Sequence, residues 1–482
     1  MENLDRLVRE LISLPQETEW LEFKKDNYDP KMIGERISAL ANTATLLERE
    51  QAYIIWGIDD QTHKIKGTST RLQDIKKGSE HLETWLAHQL SKHADFAFHS
   101  VMVEGKLVNV IIVKKAIGYP INFEREAYFR IGSHTKKLKE YPKKEASLWD
   151  KLRNTCMEDV VAKAGLTLGE VRQKLSCDVY FQILNTPLPQ SEEGYAHPLM
   201  EDGLIKKQDD GLYSITNLGA LLLAVYLPDF PGISRKAIRI VQYGGRGKAD
   251  ILRSETLDEG YAISFRRSID TVRNLLPSQE KIQISREVEL PYPIEAIREA
   301  LANALIHQDL LQKGNGPILE LFENRIEILN PGIPLVDIKR IVGNPPKSRN
   351  EKLASLMRRM RFCEELGTGW DRMVSTCEAR CLPAPRIQIY EEGSTLVTLF
   401  SHLDYSAMTQ QDKVWSAYLH ACIKYVEGEA LSNSSLRERF GLPDTSAASI
   451  SRLIKEMVDK GCIKPLDPAA GKKHMKYIPS WD

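Results

Sequence analysis

The stretch ETEWLEFKK at residues 17–25 decides how the fold begins. Its side chains alternate, with Leu21 and Phe23 on one side and Glu22 on the other, which is typical of a half-buried β-strand. The apolar run AYIIWGI at residues 52–58 predicts a second, buried strand that ends in a turn. If the two strands pair, the polar side of the first comes close to the end of the second.

Three carboxylates lie at the ends of these predicted strands. Glu17 stands just before the first strand, Glu22 lies on it, and Asp59 ends the second strand. A converging set would bind one or two Mg²⁺ or Mn²⁺ ions, because hard cations prefer oxygen ligands. Such ions would activate a water and stabilise the leaving oxygen of a phosphodiester, and Lys24 would meet the phosphate charge. The alternative is that Glu22 pairs with Lys24 or Lys25 and Asp59 only closes a turn.

Helical and strand periodicities extend this first domain in both directions. Apolar positions three or four residues apart predict helices, and short alternating or apolar runs predict strands. The predicted helices cover about residues 4–14, 33–44 and 72–90. Further strands are predicted at residues 97–103, 107–114 and 127–131.

The overall composition excludes some classes of function. The 482 residues carry 66 lysines and arginines against 66 aspartates and glutamates, so nucleic-acid binding would depend on local basic patches and not on bulk charge. No apolar run approaches the roughly 18 residues that cross a bilayer, so we expect no membrane association. The seven scattered cysteines favour reduced thiols in a cytoplasmic protein.

The C-terminal segment carries the clearest structural pattern. Residues 431–440 predict a helix, Thr445 caps a second helix that runs to about Lys460, and a two-stranded wing follows, as in a winged helix-turn-helix. The core positions of the second helix are Ile450, Leu453, Ile454 and Met457. The positions predicted to face nucleic acid are Ser446, Ser449, Arg452, Lys455, Lys472 and Lys473. The alternative is that this winged helix serves dimerisation or protein contact.

A helix predicted over residues 294–310 places three polar side chains on one face. Glu299, Asn303 and His307 are four residues apart within the sequence IEAIREALANALIHQDL. One explanation is nucleotide binding, in which the carboxylate positions a water and the amide oxygen coordinates Mg²⁺. The other explanation is that these side chains form hydrogen bonds along a helix edge at the boundary between two domains. The glycine-rich residues 244–248 lack the spacing of a P-loop, so we interpret them as a strand-end turn.

The first domain resembles a known family. ETEWLEFKK, SALANTA at 38–44, IIWGIDDQTHKIKGT at 54–68 and AYFRIGSHT at 127–135 together resemble the AlbA-like domain of Schlafen proteins and many bacterial regulators, over roughly residues 10–140. The resemblance implies nucleic-acid binding, to which Arg130 would contribute.

Schlafen ribonucleases use a three-carboxylate site in this domain. By resemblance that site falls on Glu17, Glu22 and Asp59, with Asp60 as the alternate third ligand. Many bacterial members with the same signatures are regarded as DNA-binding proteins only. Trp56 stands where members usually carry a smaller residue, and we expect it to crowd the site.

A second resemblance covers about residues 235–400. The helix at 294–310, ENRIEILNPGIPL at 323–335 and EELGTGWDRM at 364–373 resemble the GHKL-like ATPase fold often described as a RecG-like C-terminal domain. The resemblance implies that Glu299 is the water-activating base, that Asn303 is the Mg²⁺ ligand and that His307 belongs to the signature. The nucleotide-loop positions fall on Asn330, Gly332, Gly367 and Gly369. The first loop lacks the usual adenine-reading aspartate, so the resemblance implies ATP binding and leaves hydrolysis in doubt.

The sequence therefore predicts an α/β multidomain protein. The predicted domains are an α+β Schlafen-type domain at 1–142, a helical, winged-helix-like connector at 143–232, a GHKL-like α/β sandwich at 233–402 and a C-terminal winged helix at 408–482. The favoured function is an ATP-responsive regulator that binds DNA or RNA and forms a homodimer. One alternative is a metal-dependent endonuclease that acts on RNA, tRNA or single-stranded DNA, with phage defence as a context. The second alternative is a protein-interaction scaffold.

Overall fold

The computed structural model describes most of the chain. The described residues are 2–13, 18–59, 62–154, 156–208, 211–277, 279–282, 286–312, 314, 316–345, 347–363, 368–469, 471 and 475–481. The chain divides into two compact units, Met1–Met157 and Glu158–Asp482. The mixed α/β, multidomain class predicted from the sequence is confirmed. The finer domain boundaries within the second unit stay a prediction.

The first unit consists of one mixed sheet, a long buried helix and shorter flanking elements. Its helices are α1 (Glu2–Ile12), α2 (Pro30–Leu46), α3 (Leu82–Gln89) and α4 (Pro142–Asn154). Its strands are β1 (Leu21–Lys24), β2 (Gln51–Trp56), β3 (Lys76–Lys77), β4 (Glu80–His81), β5 (Phe96–Val103), β6 (Lys106–Lys114), β7 (Asn122–Phe123), β8 (Glu126–Ile131) and β9 (His134–Lys137).

The main sheet of this unit has the order β1-β2-β6-β5. Strands β1 and β2 pair in parallel, with Glu22 opposite Ile54, so the two strands that open the sequence argument do lie side by side. Phe23 and Ile55 belong to one apolar cluster, whereas Ile54 belongs to a second cluster under α2. Because strand side chains alternate between faces, Glu22 lies on the α2 side of the sheet.

One predicted helix of the first unit is wrong in its first half. In place of a continuous helix over residues 72–90, a 3₁₀ turn at Leu72–Asp74 and the β3–β4 hairpin precede α3. Gly78 has a φ of +64° between the two hairpin strands, a left-handed conformation that glycine adopts at little cost. Leu72, Leu82 and Leu86 are buried although the segment is not one helix, so the apolar spacing alone could not exclude the hairpin.

The second unit begins with a helical segment and a three-stranded sheet of order β10-β12-β11. In the segment predicted as a winged-helix-like connector, the end of α7 in the passage HPLMEDGLIKKQDDGLYSIT at 197–216 is followed by the antiparallel strands β11 and β12, and β10 adds a third strand that the sequence did not predict. The helices are α5 (Leu168–Lys174), α6 (Cys177–Ile183), α7 (Glu192–Glu201) and α8 (Asn217–Leu223). The strands are β10 (Val161–Leu166), β11 (Ile205–Lys207) and β12 (Tyr213–Thr216).

A six-stranded sheet and four helices follow. The sheet has the order β14-β13-β17-β18-β20-β19. Its strands are β13 (Ile238–Tyr243), β14 (Ile251–Leu257), β17 (Ile318–Leu321), β18 (Arg325–Pro331), β19 (Arg386–Ile389) and β20 (Ser394–Phe400), with a separate hairpin of β15 (Gln279–Ile282) and β16 (Arg286–Glu289). The helices are α9 (Tyr261–Leu275), α10 (Ile294–His307), α11 (Glu351–Arg359) and α12 (Gly369–Glu378). Residues 244–248 connect β13 to β14, which is the strand-end turn that we predicted.

The C-terminal elements match the predicted types. They are α13 (Gln410–Val426), α14 (Asn433–Arg439), α15 (Ala447–Asp459), β21 (Ile463–Pro465) and β22 (Tyr477–Pro479). The four predicted core positions of α15 are at most 5% exposed, and β21 pairs antiparallel with β22. The predicted Thr445 cap is wrong, because a 3₁₀ turn at Asp444–Ser446 precedes the helix and Ser446 is its N-cap residue. Within the described residues, no helix is long and apolar enough to cross a membrane.

Candidate nucleotide site and buried carboxylate cluster

One cleft in the second unit brings together most of the nucleotide-site residues predicted from the sequence. Its empty volume is about 1130 Å³, a figure that includes the open solvent at its mouth. The predicted residues that line it are Glu299, Asn303, His307, Asn330, Gly332 and Gly369. They come from α10, from the end of β18 and from the start of α12. Gly367 lies outside the described residues.

Glu299 is buried directly beneath the first residue of α12. A Cβ atom built on Gly369 would stand 1.7 Å from Glu299 Oε1 and 2.4 Å from its Cδ, so only glycine allows this contact. Burial raises the pKa of Glu299, against a smaller lowering by the Asn303 amide and by the charges of Arg372 and Arg298. The cleft therefore contains a carboxyl group that is more easily protonated than an exposed glutamate.

The loop after β18 is held closely against the end of α10. Gly332 has a φ of +119°, and a Cβ atom there would lie 2.9 Å from both Arg349 Nη1 and the His307 carbonyl oxygen. Arg349 donates hydrogen bonds to the carbonyl oxygens of His307 at 2.9 Å and Ile333 at 3.2 Å. Thr395 donates its hydroxyl to the Gly332 carbonyl at 2.6 Å. These bonds fix the cleft wall that the PG sequence forms.

His307 also lines the cleft. Burial, with the adjacent positive charge of Arg349, lowers the pKa of His307 to about 4. The imidazole is therefore neutral near pH 7 and offers the cleft a hydrogen-bonding group without a charge.

Several other residues that line the same cleft were not predicted from the sequence. The loop before α11 contributes Asn344, Lys347 and Ser348, and the helix itself contributes Arg358. The stretch GNPPKSRN at 343–350 could have indicated them. Its glycine and prolines are typical of a loop, and this loop carries basic side chains. Cys363 also lines the cleft, and burial raises its thiol pKa to about 12, which keeps the thiol protonated.

The residues of this cleft fit a nucleotide. The Asn303 amide lies close enough to Glu299 to lower the pKa of that carboxyl, although its buried Nδ2 makes no hydrogen bond of regular geometry among the described residues. A bound ligand commonly completes the hydrogen bonding of such a group. Close glycines let a ligand approach the backbone, and Lys347 and Arg358 supply positive charge. Glu299 and Asn303 present the oxygen atoms that would hold a nucleotide-bound Mg²⁺ ion, whose chemistry would be charge neutralisation on the phosphates.

In the first unit, Glu22 lies at the centre of a buried cationic cluster. Its side chain is 3% exposed, and Oε1 accepts from Lys24 Nζ at 2.9 Å and Arg36 Nε at 2.6 Å. Arg130 Nη1 donates to Oε2 at 3.0 Å. Both carboxylate oxygens are thus already neutralised by cations, and a second cation such as Mg²⁺ would have to displace them. The predicted alternative pairing of Glu22 with Lys24 is present, with two arginines in addition.

The other predicted carboxylates do not join Glu22 among the described residues. Asp59 binds Lys25 Nζ at 3.2 Å and accepts from the backbone and hydroxyl of Thr62; these hydrogen bonds from Thr62 hold the pKa of Asp59 far below its usual range. Glu17 and Asp60 lie outside the described residues. No group of three His, Cys, Asp or Glu residues in the described part could hold a metal. The three-carboxylate set therefore stays a prediction.

Two sequence expectations in the first unit need correction or detail. Arg130, expected at a nucleic-acid contact, is 1% exposed and holds Glu22 instead. Trp56 is fully buried, stacks on Tyr28 with ring centroids 5.6 Å apart, and donates its indole N–H to the Asn27 carbonyl at 2.8 Å. It is a core residue of this domain.

A lysine-rich surface follows Arg130, and the sequence argument missed it. It runs along β9 into the start of α4 in the stretch HTKKLKEYPKK. Its exposed members are Lys136, Lys137, Lys139, Lys143 and Lys144. Two of them, Lys137 and Lys139, pair with Glu126.

The predicted nucleic-acid face of the C-terminal segment is mixed in exposure. Arg452 and Lys455 are exposed on α15, whereas Ser446 and Ser449 are half-buried. Lys472 and Lys473 lie outside the described residues. The predicted face therefore offers two exposed cations, Arg452 and Lys455, on α15.

Comparison with known proteins identifies two domain families in the chain. Residues 17–139 match the family described as "Schlafen, AlbA_2", which confirms the resemblance of the first domain. Residues 314–399 match the family described as "Putative ATP-dependent DNA helicase recG C-terminal", which confirms the second. One segment of the chain is therefore similar to the Schlafen AlbA_2 family and another to the recG C-terminal family.

The remaining comparisons add little. No curated protein matches the sequence. Among solved structures, the crystal structure of the DIP2311 protein from Corynebacterium diphtheriae is similar at 15% identity and a TM-score of 0.40, with 99% of each chain covered. We draw no conclusion on fold or function from a similarity of this size.

Proposed function

We propose that this protein is an ATP-responsive, nucleic-acid-binding regulator, in which nucleotide binding changes the contact of the C-terminal helix-turn-helix with duplex DNA. The two matched families support a protein connected with nucleic acid and with ATP. The observation that carries the finer proposal is helix α12, because its two ends contact the nucleotide cleft and the C-terminal segment.

The first end of α12 forms part of the nucleotide cleft. Gly369 packs on the carboxylate of Glu299, and Trp370 also lines the cleft. A nucleotide phosphate near this helix start would interact favourably with its free N–H groups and its dipole. Binding there would therefore act directly on the position of α12.

The second end of α12 is bound to the C-terminal segment through a buried ion-pair network. Glu378 binds His420 Nδ1 of α13 at 3.1 Å and Arg439 Nε of α14 at 3.1 Å. Arg439 has a fully buried side chain and donates to the Leu382 carbonyl at 2.7 Å. A displacement of Glu378 would leave a buried guanidinium without its counter-charge, which is costly. The helix-turn-helix is thus constrained to follow α12.

Apolar packing strengthens the same connection. Val374, in the middle of α12, is fully buried in one core cluster together with Leu453 and Met457 of α15. A helix of ten residues spans about 15 Å, so this rigid element joins the nucleotide cleft to the core of the DNA-facing helix. Arg452 and Lys455 on the exposed side of α15 are the groups proposed to contact the DNA backbone.

The proposal is tested by fluorescence anisotropy of a labelled duplex with the full chain, with and without ATP. We expect ATP to change the duplex affinity at least about fivefold, the low end of ordinary coupling between sites. Replacing Arg452 or Lys455 by Gln should weaken duplex binding and lower the slope of log affinity against log salt by about 1. Arg235→Gln removes an exposed arginine elsewhere in the second unit and serves as the matched control.

The outcomes separate the components of the proposal. An ATP effect that Gly369→Ala removes, with ATP-free duplex binding retained, supports the coupling through α12. Equal weakening by Arg235→Gln and Lys455→Gln would contradict a DNA face on α15. Absence of duplex binding under any nucleotide condition would contradict the regulator and favour a protein-interaction scaffold.

The proposal does not extend to a metal-dependent nuclease. Both oxygens of Glu22 are ion-paired with Lys24, Arg36 and Arg130, and this favours a structural carboxylate. Cleavage of labelled tRNA or single-stranded DNA with Mn²⁺, abolished by Glu22→Gln in a folded protein, would overturn this view. A homodimer stays part of the proposal, and a solution mass near twice 54.8 kDa would support it.

A further inference from the structure

A second cleft of the second unit is lined by five arginines. It lies where α9, α10, the turn after α11 and the end of α6 meet, and its empty volume is about 1300 Å³ with the mouth included. The arginines are Arg266, Arg273, Arg298, Arg359 and Arg361. Asp270 is the acidic residue among the lining side chains. So one-sided a charge is unusual in a chain whose net charge is zero.

Four of these five arginines form no ion pair within the described residues. Arg359 binds Asp202 Oδ1 at 2.6 Å. Arg298 donates to the Arg361 carbonyl at 3.2 Å, which neutralises no charge. Arg266, Arg273, Arg298 and Arg361 form no ion pair among the residues that the structure describes. Like charges gathered in one concave space repel each other, and a bound anion would remove that cost.

The backbone conformation of Arg361 also supports an anion site. Arg361 follows the end of α11 with a φ of +59°, and its N–H donates to the Arg358 carbonyl at 2.8 Å. Glycine or asparagine is the usual residue at this helix-ending position, because other side chains strain the backbone. The arginine at this position therefore carries a local conformational cost, and its side chain lines the cleft.

The apolar part of the cleft is closed to stacking. Phe265 and Phe362 stack on each other with centroids 4.8 Å apart, and they are only 1% and 3% exposed. A nucleobase stacks on an accessible aromatic face, which these rings do not offer. Arginine forks instead match the oxygen pairs of phosphate groups. The cleft therefore suits the phosphates of a ligand better than its bases.

We propose that this arginine cleft binds a compact polyphosphate anion, a class that includes inorganic tripolyphosphate and small organic molecules with several phosphate groups. The concave shape favours a compact ligand over a duplex, and the four guanidinium groups that form no ion pair among the described residues exceed the single acidic side chain that lines the cleft, Asp270. The proposed site is separate from the nucleotide cleft, because the two share no lining residue.

The test is calorimetric titration of the full chain with inorganic tripolyphosphate at physiological salt. We expect one binding event, and we expect Arg266→Gln and Arg273→Gln each to weaken it about tenfold or more, since a hydrogen bond between charged groups contributes at least that factor. Arg267→Gln is the matched control, because Arg267 is the next residue of α9 but pairs with Glu255 at 2.7 Å and Glu259 at 2.6 Å. It should stay within about twofold of wild type. All four proteins are compared by thermal melting, so that a misfolded variant is recognised.

Further measurements distinguish this site from the nucleotide cleft, and polyphosphate binding from nucleic-acid binding. Tripolyphosphate binding that persists in Gly369→Ala, in which the ATP affinity should fall at least about tenfold, supports a distinct site and does so whether or not the proposed regulator function holds. Equal weakening by Arg267→Gln, loss of binding in Gly369→Ala, or no wild-type binding would overturn the proposal. Binding of a single-stranded oligonucleotide that depends on Arg273, without tripolyphosphate binding, would also overturn it and assign the cleft to nucleic acid.

Discussion

The contact between Gly369 and Glu299 allows a sharp prediction for the single substitution Gly369→Ala. The added Cβ atom would lie 1.7 Å from Oε1, 2.4 Å from Cδ and 3.1 Å from Cγ of Glu299, whereas ordinary contact begins at 3.4 Å. The oxygen and the methyl group must therefore separate by about 1.7 Å, the difference between 3.4 and 1.7 Å. Helix α10 cannot supply this movement, because Ala300 and Leu301 beside Glu299 are buried.

Either the Glu299 side chain turns into the cleft or the start of α12 moves away. Overpacking of this kind costs about 1–3 kcal/mol, and the better helix propensity of alanine offsets up to about 1 kcal/mol. We therefore expect a net loss of about 1–2 kcal/mol in the free energy of unfolding. Because both movements change the nucleotide cleft, the affinity for ATP should fall at least about tenfold, which is about 1.4 kcal/mol.

Urea unfolding and calorimetric ATP titration measure the two effects, and a double-mutant cycle with Glu299→Ala identifies their cause. Removal of the carboxylate removes the clash, so the cycle should show a coupling energy of about 0.5–3 kcal/mol. Gly245→Ala is the control, since a Cβ atom there has no neighbour within 4 Å. A Gly369→Ala protein with wild-type stability and ATP affinity would refute the reasoning.

Three further predictions concern buried charges. Glu378→Gln leaves the buried Arg439 without its carboxylate and should cost about 3–5 kcal/mol in urea unfolding; a loss below about 1 kcal/mol would contradict the network. His307 has a folded pKa of about 4 against 6.5 unfolded, so the unfolded state gains protons first as the pH falls. Between pH 7.5 and 5 the wild type should therefore lose about 2 kcal/mol more stability than His307→Gln, and parallel stability curves for the two proteins would exclude this. Glu22→Gln leaves buried cations without their partner and should cost about 3–5 kcal/mol by calorimetric unfolding; an unchanged melting temperature would contradict the cluster.

Local periodicity was enough to predict the elements that carry the sites. The alternation around Glu22 and the spacing of Glu299, Asn303 and His307 follow directly from strand and helix geometry. The structure gathers those three α10 residues, with Asn330, Gly332 and Gly369, around one cleft, although the loop glycines are distant in sequence. The family signatures supplied that link, because no local rule connects residue 299 with residue 369.

The parts that could not be predicted depend on long-range contacts. The sequence around Arg130 indicates an exposed basic residue, because its partner Glu22 is 108 positions away in the chain. The arginines of the second cleft come from α9, from α10 and from the end of α11 with the turn after it, and no local pattern connects them. The hairpin at residues 76–81 lies between the apolar positions Leu72 and Leu82, whose spacing does not exclude one continuous helix, and the turn at Gly78 interrupts that helix.

The two clefts of the second unit meet at shared elements, and this has a thermodynamic consequence. Arg298 and Glu299 are consecutive on α10 yet line different clefts, because successive helical positions point about 100° apart. Likewise Arg358 lines the nucleotide cleft and Arg359 the arginine cleft. A ligand that shifts either element acts on both sites. If tripolyphosphate changes the ATP affinity by some factor, ATP must change the tripolyphosphate affinity by the same factor, and paired titrations that give unequal factors would show that the two ligands do not act on one folded state.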